Sequence, residues 1–392
     1  GELVKNERQI FFKFHPEIIE SGLNISPIKM NLGATPKESP LKPFGGLFGV
    51  FADSLPDSWG RLLLDRKIRS IGGNPLNMSL LNRLAFVGKN GIGALTYKPI
   101  IQLEGKSISS IDLDEILQQN NQLLAGNESE IIDELYRLGG SSGGARPKAH
   151  IGYNHNSRLI IPDQLNLPSG YEHWIVKFPS RYDLPDIANI EFAYYKMAIA
   201  CGLEMSTSKL IESNSGKSFF ATKRFDREGE GRFHVHSVAG LLHDDFERSS
   251  LDYGHILDLA FRLERNILAQ AKVFRLMVFN VLTHNRDDHS KNFSFLMNEF
   301  GQWSFSPVYD LTFSSSSHGE HSTTINGKGK NIERLDLLML AEEFKLKMAK
   351  RIIEEVASFV TDWSKYAIES GVSNSSKILI NKEIQKQLQL IA

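Results

Sequence analysis

The sequence predicts an α+β protein in two lobes, with short strands crowded into its first 235 residues and helices filling most of the remainder. Three observations lead there. Short apolar runs such as Gln9–Phe14, His173–Phe178, Ser208–Glu212 and Ser218–Thr222 lie between Gly-, Pro- and Ser-rich turns. From Val238 onward, apolar residues instead recur every three or four positions, as in Ile256–Leu263 and Ala269–Leu282. At 392 residues the chain is also too long for one small core. We divide it into an N-terminal α+β subdomain (1–101), a strand-rich small-lobe region with a glycine loop (102–235) and a mainly helical C-terminal lobe (236–392).

Composition narrows the class. Hydrophobic residues make up 41% and charged residues 23%, with a net charge of −1, as in an ordinary globular enzyme. No global basic field draws the chain to nucleic acid or membrane. The single cysteine, Cys201, rules out an internal disulfide and a Cys-rich zinc site, and its helical setting, FAYYKMAIACGLEM, predicts core packing. No apolar run approaches the roughly 20 residues needed to cross a bilayer. The first residues also lack an apolar signal region. A cytoplasmic protein is expected. Strand-like alternation begins almost at Gly1, which leaves open a preceding strand or a remnant residue there.

Taken in order, Gln9–Phe14 and the alternating Pro27–Leu32 read as strands. Ser54 and Asp57 are candidate helix caps, ahead of a stripe of Trp59, Leu62, Leu63 and Ile68 that ends at Gly72-Gly73. Ser79–Phe86 predicts another helix, and VGKNGIGALTYKP a glycine-punctuated strand. Polar residues 102–128, with an amphipathic piece at Leu113–Leu124, read as a helical connection between lobes. Ile131–Leu138 then reads as a strand entering GGSSGGARPKAHIGY. The lysine-bearing strand WIVKFP, a long helix from DIANIEF and two further strands follow. Helices run from about Arg334 to the end.

The segment Thr283–Leu311 carries the chemistry. It reads Asn285-Arg286-Asp287, four residues, Asn292, and later Asp310. Phosphoryl-transfer kinases place a catalytic Asp, an Asn and a metal-binding Asp in that order. Asp287 can accept or orient a hydroxyl proton, while Asn292 and Asp310 offer hard oxygens to Mg2+ on nucleotide phosphates. Lys291 can neutralise the transferring group, and His289 is expected to hydrogen-bond backbone and brace the loop.

Upstream, Gly139–Lys148 is no Walker A motif, but Gly143, Gly144 and Ala145 would let backbone amides approach phosphates, with Lys148 adding charge. Lys177, in an apolar strand, needs an anion partner, and a phosphate and Glu191 are the candidates. Lys223 and Phe225 fall where a kinase hinge would hold adenine. A different grouping, His234, His236, His243, Asp244 and Asp245 with His284, Asp287, Asp288 and His289, would suit a metal-dependent phosphohydrolase. The run Ser314–Ser317 reads as a mobile loop or a phosphorylation target.

Together these residues resemble the HipA family of bacterial serine/threonine kinases, the toxin half of HipA–HipB-type toxin–antitoxin pairs. GGLFGVFADSLPDSWGRLLLDR is similar to the family's N-terminal motif, SSGGARPKAHI to its glycine loop and HWIVKFP to its nucleotide lysine strand. FATKRFDR resembles its hinge, and HNRDDHSKNFSFL with PVYDL its catalytic and metal segments. The resemblance implies a two-lobed kinase-like fold that uses ATP and Mg2+. It implies autophosphorylation at Ser141 or the adjacent Ser142. It also implies a protein substrate such as an aminoacyl-tRNA synthetase, and a HipB-like helix-turn-helix antitoxin through which DNA is contacted. Lys223 replaces the usual hinge Glu, and Arg146-Pro147 replaces Gln-Glu. The expected function is a Mg2+/ATP-dependent serine/threonine protein kinase acting as a toxin. The alternatives are a weakly catalytic ATP-binding corepressor and the phosphohydrolase.

Overall fold

A computed structural model describes residues 1–7, 9–101, 110–127, 129, 131–140, 143–316 and 319–391. They form two compact units. The first holds Gly1–Asn24, Met30–Ala188 and Thr207–Val235; the second holds Ile25–Lys29, Asn189–Ser206 and His236–Ala392.

In the first unit, β1 (Glu2–Asn6) pairs antiparallel with β2 (Gln9–Lys13), which also pairs with β3 (Lys37–Glu38). Between them lies the short helix α1 (Pro16–Ser21). Ile10 and Phe12 alternate inward along β2. Pro27–Leu32, expected as a strand, is a turn followed by irregular chain, because Pro27 has no N–H for a ladder. Next come α2 (Gly49–Ala52) and α3 (Ser58–Ser70). Helix α3 buries Trp59, Leu63, Leu64 and Ile68 on one face, and the Gly73 N–H donates to the Ile68 carbonyl just past its end. Ser54 caps nothing; its Oγ accepts from Tyr97 Oη at 2.7 Å. Helix α4 (Leu80–Val87) is capped by Ser79. The strand expected after Val87 is replaced by turns, since Gly88 and Gly93 take φ of 54° and 76° and break an extended run.

Helix α5 (Leu113–Leu124) forms where the amphipathic piece was expected. Its Leu113, Ile116, Leu117 and Leu123 enter a core shared with Trp59, Trp174, Val176 and Phe219. Residues 102–109 of that stretch fall outside the described residues. Ile131–Leu138, read as a strand, is helix α6 (Ile132–Gly139), because its buried Leu135 and Leu138 repeat at helical spacing. A helix therefore leads into the glycine loop. Beyond it, β4 (Lys148–Asn154), β5 (Ile160–Pro162) and β6 (Tyr171–Lys177) precede α7 (Ile187–Ala200). With β7 (Ser208–Glu212) and β8 (Ser218–Lys223) they build an antiparallel sheet ordered β5-β4-β6-β8-β7. The ribbon β9 (Arg227–Glu228) and β10 (Gly231–Arg232) follows.

The second unit is mainly helical; it takes in the last two residues of β11 (His234–Ser237) together with β12 (Ser294–Met297) and β13 (Trp303–Phe305), in a sheet ordered β11-β12-β13. Helices α8 (Val238–Leu242), α9 (Tyr253–Glu264) and α10 (Ile267–Leu282) precede that hairpin. Helices α11 (Arg334–Glu343), α12 (Ala349–Thr361), α13 (Trp363–Glu369) and α14 (Asn374–Ile391) follow it. Helix α10 is buried on nearly every side, the pattern of a central core helix. Its last turn is fixed by Tyr194, whose hydroxyl donates to the Thr283 carbonyl while its ring meets Trp363 edge-on at 5.4 Å. A rigid helix thus leads into the segment that begins at Thr283.

Candidate active site

The segment leaves α10 through Thr283 and His284, whose φ of 58° turns the chain sharply. Asn292 ends a short 3-10 turn, Ser290–Asn292. Its Nδ2 donates to the Asp287 carbonyl at 2.6 Å, so residues 287 and 292 are held together across their four-residue spacing. The Asp287 side chain stays largely solvent-exposed, at 61%. Its carboxylate is accessible while its backbone is clamped.

The next residue does the clamping from the other side. Asp288 is 1% exposed, and its Oδ2 accepts from Tyr253 Oη at 2.8 Å and from His321 Nδ1 at 2.9 Å. Its Oδ1 accepts from the Ser322 N–H at 2.8 Å, and its carbonyl from Thr323 Oγ1 at 2.6 Å. Tyr253 in turn accepts from Asn280 Nδ2 at 3.0 Å, and Asn280 Oδ1 accepts from Asn285 Nδ2 at 2.9 Å. Burial, with Asp288 alongside, pushes the Tyr253 phenol well above its ordinary pKa, so it remains a donor. Sequence reasoning placed Asp288 among possible metal ligands and missed Tyr253 and His321. The spacing Asp287-Asp288 holds no signal that one carboxylate faces solvent and the other the core.

Asp310 takes φ 55° and is half-buried. The preceding Tyr309 donates its hydroxyl to the Lys291 carbonyl at 2.7 Å and lies 2.6 Å from Ser294 Oγ, which ties the Asp310 segment to the 3-10 turn and β12. Lys291 Nζ sits 4.6 Å from the Phe246 ring centre, and the His289 ring packs on the same Phe246. The expected brace by His289 is not made through Nδ1, which is buried without a hydrogen-bond partner among the described residues; Nε2 lies 3.8 Å from Asp287 Oδ1. In the serine run, Ser314 and Ser316 are tied down. The Arg286 N–H donates to the Ser314 carbonyl at 3.3 Å, and Ser316 Oγ donates to the Glu320 carbonyl at 2.7 Å. Ser317 lies outside the described residues.

In the first unit, Gly143, Gly144 and Ala145 form the loop before β4, with Gly144 at φ 84°. Ser141 and Ser142 lie outside the described residues. The loop's exit is fixed where the Phe178 N–H donates to the Pro147 carbonyl at 2.8 Å and Arg146 pairs with Asp183 at 2.8 Å. Lys148 and Lys177 are register partners across β4 and β6. Directly opposite residues share a face, so the two ammonium groups stand on one side of the sheet. Lys177 also lies 5.4 Å from the Phe220 ring centre. Glu191, on α7 in the second unit, is 3% exposed.

The segment 223–227 contains a buried ion clamp. Arg224 grips Asp226 with two bonds of 2.9 and 2.7 Å and Asp163 with a third of 2.8 Å. Arg227 bridges Asp226 Oδ2 at 2.6 Å and the Gly91 carbonyl at 2.9 Å, while Arg232 reaches the carbonyls of Lys89, Gly91 and Gly93. The Gly93 N–H closes the circuit on Asp226 Oδ2 at 2.8 Å. Burial alone would raise the Asp226 carboxyl, but Arg224 and then Arg227 overcome it and hold it well below the usual range. This buried ion network fastens the 89–93 turn to the sheet's end. The Lys223 N–H donates to Thr207 and its ammonium pairs with Glu172 at 2.6 Å, while the Arg224 N–H donates to His173; Phe225 is half-buried.

The donor set at Asn292 and Asp310 suits Mg2+. With Nδ2 of Asn292 committed to a carbonyl, its Oδ1 is the amide atom left to face a cation, and Mg2+ takes few protein oxygens and keeps its waters. Among the described residues, no group of three or more His, Cys, Asp or Glu side chains could hold a metal. Asp244 accepts from Ser290 Oγ, and His236 meets Ser26 at 3.0 Å. Burial, with Arg286 beside it, pushes His284 down to about 4.

Residues 140–363 match the family described as HipA-like C-terminal domain, and residues 1–98 match the HipA N-terminal domain. A Shewanella oneidensis protein named serine/threonine-protein kinase toxin HipA is 26% identical over 280 residues, 66% of this chain and 60% of its own length. A Sinorhizobium fredii kinase candidate, Y4dM, is 28% identical over 151 residues, 35% of this chain. The chain spans 36% of the length of the Sinorhizobium relative and 60% of the Shewanella one. The solved Shewanella oneidensis HipA, in complex with HipB and operator DNA, superposes with a TM-score of 0.69 over 99% of this chain and 93% of that one, at 19% identity. That likeness establishes the kinase-like α+β fold. Among the described residues, no helix is long and apolar enough to cross a membrane.

Proposed function

The chain belongs to the HipA family, and on that premise we propose that it is a Mg2+/ATP-dependent serine/threonine protein kinase acting as a growth-inhibiting toxin. The observation that carries the reading is the bond from Asn292 Nδ2 to the Asp287 carbonyl, which locks the two residues together while the Asp287 carboxylate stays exposed.

Each side chain then has a task. Asp287 orients the attacking serine hydroxyl and receives its proton. Asn292 and Asp310 supply oxygens for Mg2+, which when bound neutralises phosphate charge. Lys291 offsets charge on the transferring group. Lys148 and Lys177, facing one another across β4 and β6, hold nucleotide phosphate, together with the amides of Gly143, Gly144 and Ala145. Glu191 and His289 support the nucleotide, and Phe225, with Lys223, borders the adenine. The loop serines Ser141 and Ser142 are the proposed autophosphorylation sites, where added charge would repel nucleotide.

The name of the Shewanella relative supports the toxin activity, and its solved complex supports a HipB-like helix-turn-helix partner that contacts DNA. A translation factor such as an aminoacyl-tRNA synthetase is the proposed substrate, in the cytoplasm. Incubating the full chain with labelled ATP and a cell lysate, followed by mass spectrometry, tests this. Label on a serine of one dominant protein, absent with Asp287→Asn, supports it. Release of free phosphate without any labelled protein contradicts it.

A further inference from the structure

Asp57 is the N-cap of α3, yet its side chain makes no capping bond to its own helix. Its Oδ2 accepts instead from the Gly144 N–H at 3.1 Å. In exchange, the Gly144 carbonyl accepts from the Trp59 N–H at 3.2 Å. An N-cap aspartate ordinarily serves the second or third amide of its own helix. Here a loop carbonyl serves the second amide, and the released carboxylate holds the loop. Both backbone groups of one glycine are thereby fixed by the start of one helix.

The surroundings fit this contact. A Cβ at Gly143 would lie 3.2 Å from Asp57 Oδ2, so a larger residue there would crowd the carboxylate. Gly144 needs its positive φ to offer N–H and C=O to α3 together. Lys148 Nζ lies against Gly144, 2.8 Å from where a Cβ would stand. Helix α3 also grips the helix entering the loop, since its buried Lys67 pairs with Asp133 of α6.

We infer that Asp57 is the positioning residue of the glycine loop: from the N-terminal part of the chain, it sets the direction in which the loop amides and Lys148 face a nucleotide phosphate. This rests on the ATP reading proposed above. Asp57 touches neither substrate nor cofactor; it acts through Gly144.

The test compares the full chain with Asp57→Asn and Asp57→Ala by two measurements. Hydrogen exchange without nucleotide reports the Gly144 amide, with α10 amides as the global control, and calorimetry reports Mg–ATP affinity. Loss of a charge-assisted bond predicts that the Ala variant exchanges Gly144 faster and binds Mg–ATP about tenfold more weakly. Asn, a neutral acceptor, restores part of both, and α10 exchange stays unchanged. An unchanged Gly144 amide, or an Ala variant that binds Mg–ATP equally or more tightly, overturns the inference. Wild-type protein that binds no Mg–ATP overturns the ATP reading instead, and the Gly144 exchange still decides whether Asp57 holds the loop.

Discussion

Tyr253 Oη donates to Asp288 Oδ2 at 2.8 Å while it accepts from Asn280 Nδ2 at 3.0 Å, with both Tyr253 and Asp288 essentially closed to solvent. Because Asp288 follows Asp287 directly, this buried chain of bonds fixes the backbone on which the exposed carboxylate stands. Tyr253→Phe should therefore cost about 1–3 kcal/mol, since it strips a donor from a buried carboxylate and leaves an Asn280 amide unmatched. Urea unfolding measures it, and phosphoryl transfer should fall along with it. A variant as stable and active as wild type would remove Tyr253 from the account.

The Arg224–Asp226–Arg227 network should behave as a structural clamp. Arg224→Lys keeps the charge but cannot make the two-pronged bond to Asp226, and it leaves buried carboxylates short of donors. A loss of about 3–5 kcal/mol is expected in chemical unfolding, with Mg–ATP affinity of the folded protein little changed. A large loss of affinity at full stability would contradict a purely structural role for this network.

Acid should weaken the fold through two histidines. Burial, with Arg224 beside it, pushes His150 down to about 3, and its Nδ1 lies 3.3 Å from the Arg224 guanidinium. His284 is similarly pushed down to about 4. Both are neutral when folded and titrate near 6.5 when unfolded, so the unfolded chain binds more protons below that pH. Stability is full above about 6.5 and is lost as pH falls toward 3–4. His150→Gln should flatten the fall in melting temperature between pH 7 and 5; an unaltered slope would refute its share.

The lysine pair predicts an effect on binding. Lys177→Met removes one of two cations in register across β4 and β6, so Mg–ATP affinity should fall at least about tenfold. Calorimetry measures it. Equal affinity in the variant would take phosphate away from this face.

Much of this was legible in the sequence. Apolar spacing gives the helix Leu113–Leu124 and, over Ala269–Leu282, most of the helix Ile267–Leu282, while the Asp287, Asn292, Asp310 order is read from residue types alone. The features that were not legible depend on distant partners. Ile131–Leu138 is only eight residues long, and packing of α6 on α3 selects the helix that its Leu135 and Leu138 spacing allows. Arg224 and Asp226 look like surface ion pairs until Asp163 and the 89–93 carbonyls close around them. Asp57 looks like an ordinary cap until Gly144, 87 residues away, takes its carboxylate. The partition between Asp287 and Asp288 is likewise set by Tyr253 and His321, not by anything beside them in the chain.

The most direct test of phosphoryl transfer is a single-turnover reaction of purified full chain with γ-labelled Mg–ATP, run beside Asp287→Asn. The account predicts label appearing on protein serine with wild type, and none above background with the variant although it still binds Mg–ATP. Equal labelling by both proteins would contradict the assignment of Asp287 and, with it, the reading of Thr283–Leu311 as a kinase centre.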